Sequence, residues 1–212
     1  MAVATPYRTF ADVLKRLGGI PAERVRFDIK PGRATVRDLT TIHAREDRLY
    51  ELVDGFLVEK PMGAKESFLA AELIWYFRSY LETNDLGFVL APDGTLRILP
   101  RLVRLADVAF ISWDQRPDRT VPDEQVPSLY PDIAVEVLSP KNTRAEIKRK
   151  LKEFFTAGTK LVWVVHPKKR EVTVYTAPDQ SATLTEADRL DGGAVLPGFT
   201  LELKKLFGKL EK

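Results

Sequence analysis

Two acidic residues lie inside apolar segments of the sequence, where a charged side chain is costly. Asp107 interrupts the apolar run 105–111, and Glu136 interrupts the apolar run 133–138. Burying an isolated carboxylate is strongly unfavourable unless it is protonated, paired with a cation or bound to a metal ion. Two acids on neighbouring strands also repel each other, and a shared cation relieves that repulsion. Oxygen ligands of this kind suit Mg²⁺ or Mn²⁺.

A structural role for both acids is the alternative. Each carboxylate could pair with an arginine, for which Arg97, Arg101 and Arg104 are the candidates, or could lie at a strand end in water. Strand alternation places Asp107 on one face with Leu105 and Ala109, and Glu136 on one face with Ala134 and Leu138. The sequence pattern leaves the metal site and the structural pairing both open.

A lysine follows Glu136 on a predicted helix. Thr143 and Glu146 form a capping box that starts this helix. Lys150 lies at the flank of the apolar stripe, from where its ammonium group could reach Glu136. The alternative is an exposed Glu146–Lys150 pair one helical turn apart, which contributes about 0.3–0.5 kcal/mol. The stripe consists of Ile147, Leu151, Phe154 and Phe155.

Two further acids are candidates for the same site. Glu66 falls in the middle of the apolar face of the helix predicted over residues 66–81. Its alternative role is that of an acid that complements the dipole at a helix N-terminus. Glu51 lies on a strand of the hairpin predicted over residues 49–60, whose turn is Asp54-Gly55. We treat Glu51 as an accessory residue and Asp54 as a turn residue.

The elements that must position these residues alternate between helices and strands. Their order predicts an α/β fold with a mixed sheet. We expect an N-terminal arm with a short helix over residues 1–34 and one domain over residues 35–212. Beside those already named, the predicted helices are 10–16, a segment from residue 35 to about 47, 143–157 and 203–210; the predicted strands are 87–90, 95–99, 104–111, 132–138, 161–166 and 171–176, with one short strand in the tail.

Composition narrows the function further. The chain has 212 residues, and 44% of them are hydrophobic, so a substantial core is expected. It has no cysteine and only two histidines, which excludes thiol chemistry and makes a cysteine- or histidine-rich zinc site implausible. The first ten residues contain no apolar segment, and no apolar run reaches the roughly 20 residues of a membrane span. We therefore expect a soluble, cytoplasmic protein. The formal net charge of +3 is compatible with a phosphate-rich partner.

Several short motifs follow one another along the chain. They are Tyr-Glu-Leu-Val-Asp-Gly at 50–55, Glu-Lys-Pro-Met-Gly at 59–63 with Glu66-Ser67, Ala-Asp-Val-Ala-Phe at 106–110, Glu-Val-Leu-Ser-Pro at 136–140, Lys150 with Phe154, and Ala157-Gly158 before Val-Trp-Val-Val-His-Pro at 162–167. In this order, over about residues 35–200, they resemble a large bacterial family of putative restriction endonucleases in the PD-(D/E)XK nuclease superfamily.

The resemblance implies a restriction-endonuclease-like core, with a mixed central β-sheet flanked by helices. It makes Asp107 and Glu136 the two motif acids, Lys150 the catalytic lysine and Glu66 the acid on the preceding helix. Asp107, Glu136 and Glu66 would then hold Mg²⁺ (or Mn²⁺), and Lys150 would orient the attacking water. Three positions depart from the superfamily motif: Ala106 replaces its usual proline, Leu138 stands where its lysine is expected, and Phe154 replaces a tyrosine of many relatives.

The implied activity is metal-dependent endonucleolytic hydrolysis of nucleic acid, with DNA as the expected partner and a homodimer as a possible assembly. A rival interpretation is a catalytically silent nucleic-acid-binding or assembly module that keeps the same fold. Another is an enzyme with this fold that acts on some other phosphodiester.

Overall fold

Twelve strands and five α-helices make up the described part of the chain. The computed structural model describes residues 9–211. The helices are α1 (Phe10–Arg16), α2 (Val36–His43), α3 (Ala64–Leu81), α4 (Arg144–Ala157) and α5 (Leu203–Gly208). The strands are β1 (Tyr50–Val53), β2 (Phe56–Glu59), β3 (Gly87–Leu90), β4 (Leu96–Leu99), β5 (Leu102–Arg104), β6 (Val108–Ser112), β7 (Ile133–Val137), β8 (Leu161–His166), β9 (Glu171–Ala177), β10 (Gln180–Thr185), β11 (Arg189–Gly192) and β12 (Leu196–Glu202).

The strands form one mixed sheet and two smaller antiparallel sheets. The six-stranded central sheet has the order β10-β9-β8-β7-β6-β3, and its only parallel pair is β7 with β8. The helix α4 makes the crossover between these two strands, as a parallel connection requires. A four-stranded sheet has the order β2-β1-β5-β4, and β11 pairs with β12. The predicted α/β class with a mixed central sheet is confirmed.

Helices cover both faces of the central sheet. Strand alternation sends Ile133, Val135 and Val137 of β7 into a core that contains the apolar residues of α3 and α5. Ala134 of the same strand faces the other way, into a core with residues of α1 and α4. Because successive residues of β7 point to opposite faces, Glu136 must lie on the α4 side.

The ends of α4 are set by local sequence signals. At its start, the Thr143 side chain accepts a hydrogen bond from the Glu146 N–H, and the Glu146 side chain accepts one from the Thr143 N–H. At its end, Gly158 adopts a φ of 116°, and a β-carbon there would lie 2.7 Å from the Tyr130 ring. Only glycine tolerates both the positive φ and the close approach of the Tyr130 ring, so α4 ends at Ala157.

The N-terminal arm packs on the first turn of α4. A β-carbon at Gly18 would lie 2.7 Å from backbone atoms of Glu146, and the Thr143 hydroxyl donates to the Gly18 carbonyl over 2.5 Å. The predicted short helix at residues 10–16 is confirmed as α1. Residues 1–8 of the predicted arm lie outside the described residues, and the boundary at residue 34 stays a prediction.

Three predicted elements are wrong in extent. The single strand predicted over residues 104–111 is two strands, because the chain leaves the four-stranded sheet after β5 and enters the central sheet at β6. The tail carries β10, β11 and β12 instead of one short strand, and α2 ends at His43 rather than near residue 47. In the part of the chain that the structure describes, no helix combines the length and apolar character of a membrane span.

Candidate active site

Asp107 lies at the junction where the chain passes between the two large sheets. Its Oδ2 atom accepts a hydrogen bond from the Val137 N–H at 2.6 Å, and its own N–H donates to the Val135 carbonyl at 2.9 Å. These bonds tie Asp107 to the end of β7. Its Oδ1 atom lies 2.9 Å from the Lys60 ammonium group, and both side chains are buried.

Glu136 lies beside Asp107 on the same face of the central sheet. The antiparallel register aligns Val108 with Val135, which places Asp107 opposite Glu136, one residue further along each strand. The Glu136 Oε2 atom accepts a hydrogen bond from Lys150 at 2.8 Å. Its Oε1 atom is buried and has no hydrogen-bond partner among the described residues. A buried carboxylate oxygen without a partner is unusual and needs an explanation.

Lys150 lies between two carboxylates. Its ammonium group is 2.8 Å from Glu136 and 3.3 Å from Glu51, and its side chain is only 4% exposed. The prediction that Lys150 reaches from the helix to Glu136 is therefore confirmed. The alternative of an exposed Glu146–Lys150 pair is wrong, because Glu146 is also buried and forms two hydrogen bonds with Arg24, at 2.7 and 3.0 Å.

Glu51 is a central member of this group of charges. It lies on β1 and accepts hydrogen bonds from Arg104 at 2.6 Å and from the Leu105 N–H at 3.2 Å. Arg104 in turn binds Glu153 of α4 through its Nε atom at 2.9 Å. The arginine pairing considered for Asp107 and Glu136 is therefore wrong for Arg104, which holds Glu51. We call the six buried residues Glu51, Lys60, Arg104, Asp107, Glu136 and Lys150 the charged cluster.

Lys60 is the member of the charged cluster that sequence reasoning missed. It follows β2, in which Phe56 and Val58 face the core shared with α4. Extended alternation puts residue 60 on that same apolar face. A lysine on an apolar face carries the same signal that identified Asp107 and Glu136. Lys60 also donates to the Pro92 carbonyl at 3.1 Å, which fixes its ammonium group near Asp107.

Glu66 lies apart from the buried contacts. It is partly exposed in the first turn of α3, and its carboxylate folds back over Gly63, where a β-carbon would lie 2.3 Å from Oε2. It borders a cleft of about 480 Å³ that is also lined by Lys60, Ser139 and Lys141. Within residues 9–211, the Glu66 carboxylate forms no hydrogen bond or ion pair with Asp107, Glu136 or Lys150. Lys60, however, both lines the cleft and belongs to the charged cluster.

The two glutamates that share Lys150 have opposite electrostatic surroundings. Burial raises the pKa of the Glu136 carboxyl to about 7; Lys150 opposes this rise, and Asp107 adds to it. Burial also favours the protonated form of Glu51, but Arg104 and the two lysines outweigh it and lower its pKa to about 2. Burial disfavours the charged form of Lys150, but Glu136 and Glu51 outweigh it and raise its pKa. Of these two glutamates, Glu136 is therefore the one that changes charge near neutral pH.

The carboxylates of Asp107 and Glu136 supply some, but not all, of the ligands that a hard divalent cation needs. Within residues 9–211, no group of three acidic or histidine side chains stands close enough together to hold a metal ion. However, Mg²⁺ is commonly held by only one or two carboxylates and keeps several waters. Asp107 and the unpartnered oxygen of Glu136 supply two such donors. The residues therefore fit a magnesium ion that keeps part of its hydration shell.

Comparisons with known proteins agree with this architecture. A family model described as "Putative restriction endonuclease" (Uma2) matches residues 36–204. A crystal structure of a putative nuclease belonging to DUF820 from Anabaena variabilis superposes with a TM-score of 0.69 and 18% sequence identity. The match covers 78% of this chain and 93% of that chain, and at this identity it shows a shared fold. No curated protein gives a significant match.

Proposed function

Because the chain belongs to the Uma2 family of putative restriction endonucleases, we propose that it is a metal-dependent endonuclease that hydrolyses phosphodiester bonds in DNA. The observation that carries the proposal is the charged cluster itself. Asp107 and Glu136 lie side by side on a buried sheet face, each bound to one lysine, and one Glu136 oxygen has no partner. Such an arrangement is costly for folding, and groups of perturbed charge cluster at functional sites.

In the proposed reaction, Asp107 and Glu136 would hold Mg²⁺ or Mn²⁺, with Glu66 in the neighbouring cleft as a further ligand. The ion would supply an activated water and neutralise charge on the scissile phosphate. Glu136 must be ionised to bind a cation, so its raised pKa makes binding favourable above about pH 7. Lys60 balances the Asp107 charge in the metal-free protein, and a cation competes with it for that carboxylate.

Lys150 has a separate part in the proposed chemistry. Glu51 and Glu136 keep its ammonium group charged and fixed in one position. A positioned cation of this kind orients the attacking water and stabilises the negative charge that develops on the phosphoryl oxygens. The water oxygen bonds to phosphorus, and the bond from phosphorus to the 3′ oxygen breaks. The attacking water releases a proton to solvent, and the leaving 3′ oxygen takes up a proton from solvent. The products are a 5′-phosphate and a 3′-hydroxyl.

A second candidate function rests on the lysine pairs. Lys60 and Lys150 already neutralise Asp107 and Glu136, so both buried acids have a charge partner without a metal ion. This favours a module that binds nucleic acid, or joins an assembly, without cleaving it. In that case the acids would bind metal weakly, and the lysines would be structural.

Cleavage assays separate the two candidates. Supercoiled plasmid, single-stranded DNA and RNA are each incubated with the protein in Mg²⁺, in Mn²⁺ and in EDTA. The proposal predicts cleavage of DNA with a divalent cation, 5′-phosphate ends, and no cleavage in EDTA or by Asp107→Asn. Binding of nucleic acid without cleavage under both metals would support the silent module instead.

A further inference from the structure

A second cavity lies on the opposite face of the four-stranded sheet from the charged cluster. Its volume is about 790 Å³, and Leu52 and Arg97 line it. The register aligns Leu52 with Val103, and Val103 with Arg97, so these residues share one face. Their neighbours Glu51 and Arg104 point to the other face, toward Lys150. The cavity is therefore separate from the candidate active site.

Three exposed arginines surround this cavity, which we call the arginine pocket: Arg33, Arg97 and Arg101. The Arg97 guanidinium donates to the Ser128 hydroxyl, with an Nε–Oγ distance of 2.9 Å. The Arg101 guanidinium donates to the backbone carbonyls of Gly32 at 2.6 Å and Asp54 at 3.4 Å. Across residues 9–211, none of the three arginines forms an ion pair with a carboxylate.

This lack of acidic partners contrasts with the surroundings. Arg16 and Arg149 both bind Asp54, in the same hairpin whose backbone holds Arg101. Arginines close to the pocket thus have carboxylate partners, while Arg97 and Arg101, which line it, donate only to neutral acceptors. Three unneutralised guanidinium groups around one concavity repel one another, and an anion in the cavity would relieve that repulsion.

The backbone fixes Arg101 in place. Arg101 occupies the left-handed region, with a φ of 61°, in the turn between β4 and β5. Its guanidinium lies across Gly55, where a β-carbon would be 2.5 Å from its Nη2 atom. A non-glycine residue in this region costs of order 1 kcal/mol. The hairpin glycine and the two carbonyls hold the side chain at the rim, so little of its rotamer freedom remains to be lost on binding.

Apolar side chains also line the arginine pocket. Among them, Leu52 and Ile98 are buried, and Leu129 and Tyr130 are half-buried. Guanidinium groups recognise phosphate through paired N–H donors. Aromatic and apolar side chains support the flat face of a nucleobase. A ligand with a phosphate next to a flat, weakly polar ring matches both features.

From this combination we infer that the arginine pocket binds a nucleotide through its phosphate, with the base against Leu129 and Tyr130. The nucleotide is either free or part of a nucleic-acid strand, since both present the same chemistry. This inference goes beyond the proposed hydrolysis, because it requires neither the charged cluster nor a metal ion.

Fluorescence anisotropy in EDTA tests the inference. The probes are a fluorescent 2′-deoxynucleoside 5′-monophosphate and a labelled 12-nucleotide DNA strand. The test protein is Arg97→Gln combined with Arg101→Gln. The matched control is Arg78→Gln combined with Lys204→Gln, which removes the same charge from exposed positions on α3 and α5.

We expect the pocket variant to bind at least about tenfold more weakly than the parent, and the control variant to stay within about twofold of it. The slope of the logarithm of the binding constant against the logarithm of the salt concentration should become shallower by about one for each arginine that contacts a phosphate. Competition by unlabelled mononucleotide would identify a free-nucleotide site, and binding of the strand alone a strand site; both support the inference. Failure of the parent to bind either probe, or equal losses in pocket and control variants, would overturn it.

A single substitution guards against loss of folding in the double variant. Arg97→Gln removes only a contact with Ser128 and leaves the Arg101 contacts to the hairpin intact. It should keep the parent melting temperature and weaken binding severalfold. A folded Arg97→Gln protein that binds both probes like the parent would exclude Arg97 from the site and contradict the inference.

Discussion

The two faces of the central sheet are buried by different kinds of contact. On the α3 and α5 side, Phe77 packs against Trp163 and Phe199 with ring centroids 5.3 and 5.2 Å away. On the α4 side, the same β7 strand that contributes Val135 to the apolar core presents Glu136 to Asp107 and Lys150. One face is closed by apolar contact, and the other combines an apolar core with the ion pairs of the charged cluster.

The difference teaches where stability and chemistry reside. Apolar burial stabilises by roughly 25 cal/mol per Å², and close packing adds to it. Buried ion pairs recover their desolvation cost only in part, and well-packed apolar residues often replace them without loss. A site that keeps six buried charges has therefore been shaped by something other than stability. Four substitutions test this division, from the largest expected effect to the smallest.

Trp163→Ala should have the largest effect, and on stability alone. Removing a fully buried indole leaves a cavity between α3 and the sheet, at a cost of about 3–5 kcal/mol in the free energy of unfolding. Urea titration followed by circular dichroism measures this loss. The folded fraction should cleave DNA at the parent rate. A large fall in turnover of fully folded protein would show that the apolar face also contributes to catalysis.

Lys150→Met should act mainly on turnover. The substitution keeps the aliphatic stem and removes the charge that Glu136 and Glu51 hold in place. Loss of one preorganised charge donor lowers the rate by roughly 10²–10³. Stability should also fall, because two buried carboxylates lose their shared cation. Single-turnover plasmid cleavage gives the rate, with exposed Lys152→Met on the same helix as the control. Equal rates for all three proteins would return Lys150 to a structural role.

Glu136→Gln should change how stability depends on pH in EDTA. The folded-state pKa of about 7 lies above the unfolded value near 4.5, so the folded protein binds more protons between these values. The contribution of Glu136 is therefore fully present below about pH 4.5 and is lost as the pH rises through 7, by about 3 kcal/mol in total. Urea titrations at pH 5 and 8 should show that the parent loses stability over this range relative to Glu136→Gln. A constant difference between the two proteins would contradict the raised pKa.

Lys205→Met should have the smallest effect. Lys205 pairs with Glu202 at 3.3 Å, but its side chain is 62% exposed. Exposed pairs contribute less than about 1 kcal/mol, so melting temperature and turnover should both stay near the parent values. A large loss here would mean that ion pairs stabilise this protein generally, and the charged cluster would then be less distinctive.

Local sequence signals predicted most of the fold. The capping box at Thr143 and the apolar stripe that follows it predicted α4 to within one residue of its observed bounds, and Asp54-Gly55 predicted the first hairpin. Strand 87–90 was also predicted with its observed bounds. The break between β5 and β6 could not be predicted, because residues 104–111 are continuously suited to a strand. Only the tertiary structure decides that the chain changes sheets there.

The site was predictable where the signal is a charge in an apolar segment. This identified Asp107 and Glu136, and the same rule applied to β2 would have identified Lys60. The partners were less accessible. Glu146 is one helical turn from Lys150, which favoured a local pair, but its actual partner Arg24 is 122 residues away in the chain. Glu51 looked like an accessory residue, because the position of Arg104 opposite it depends on how β1 pairs with β5.

Calorimetric titration with Mn²⁺ tests most directly whether the charged cluster is a metal-dependent active site. Parent protein, Asp107→Asn and Glu136→Gln are titrated at pH 8 without nucleic acid, with exposed Glu82→Gln as the control. We predict that the parent and the control bind Mn²⁺, and that both site variants lose tight binding while circular dichroism shows them folded. If both site variants bind Mn²⁺ like the parent, or the parent binds none, the charged cluster is not the metal site.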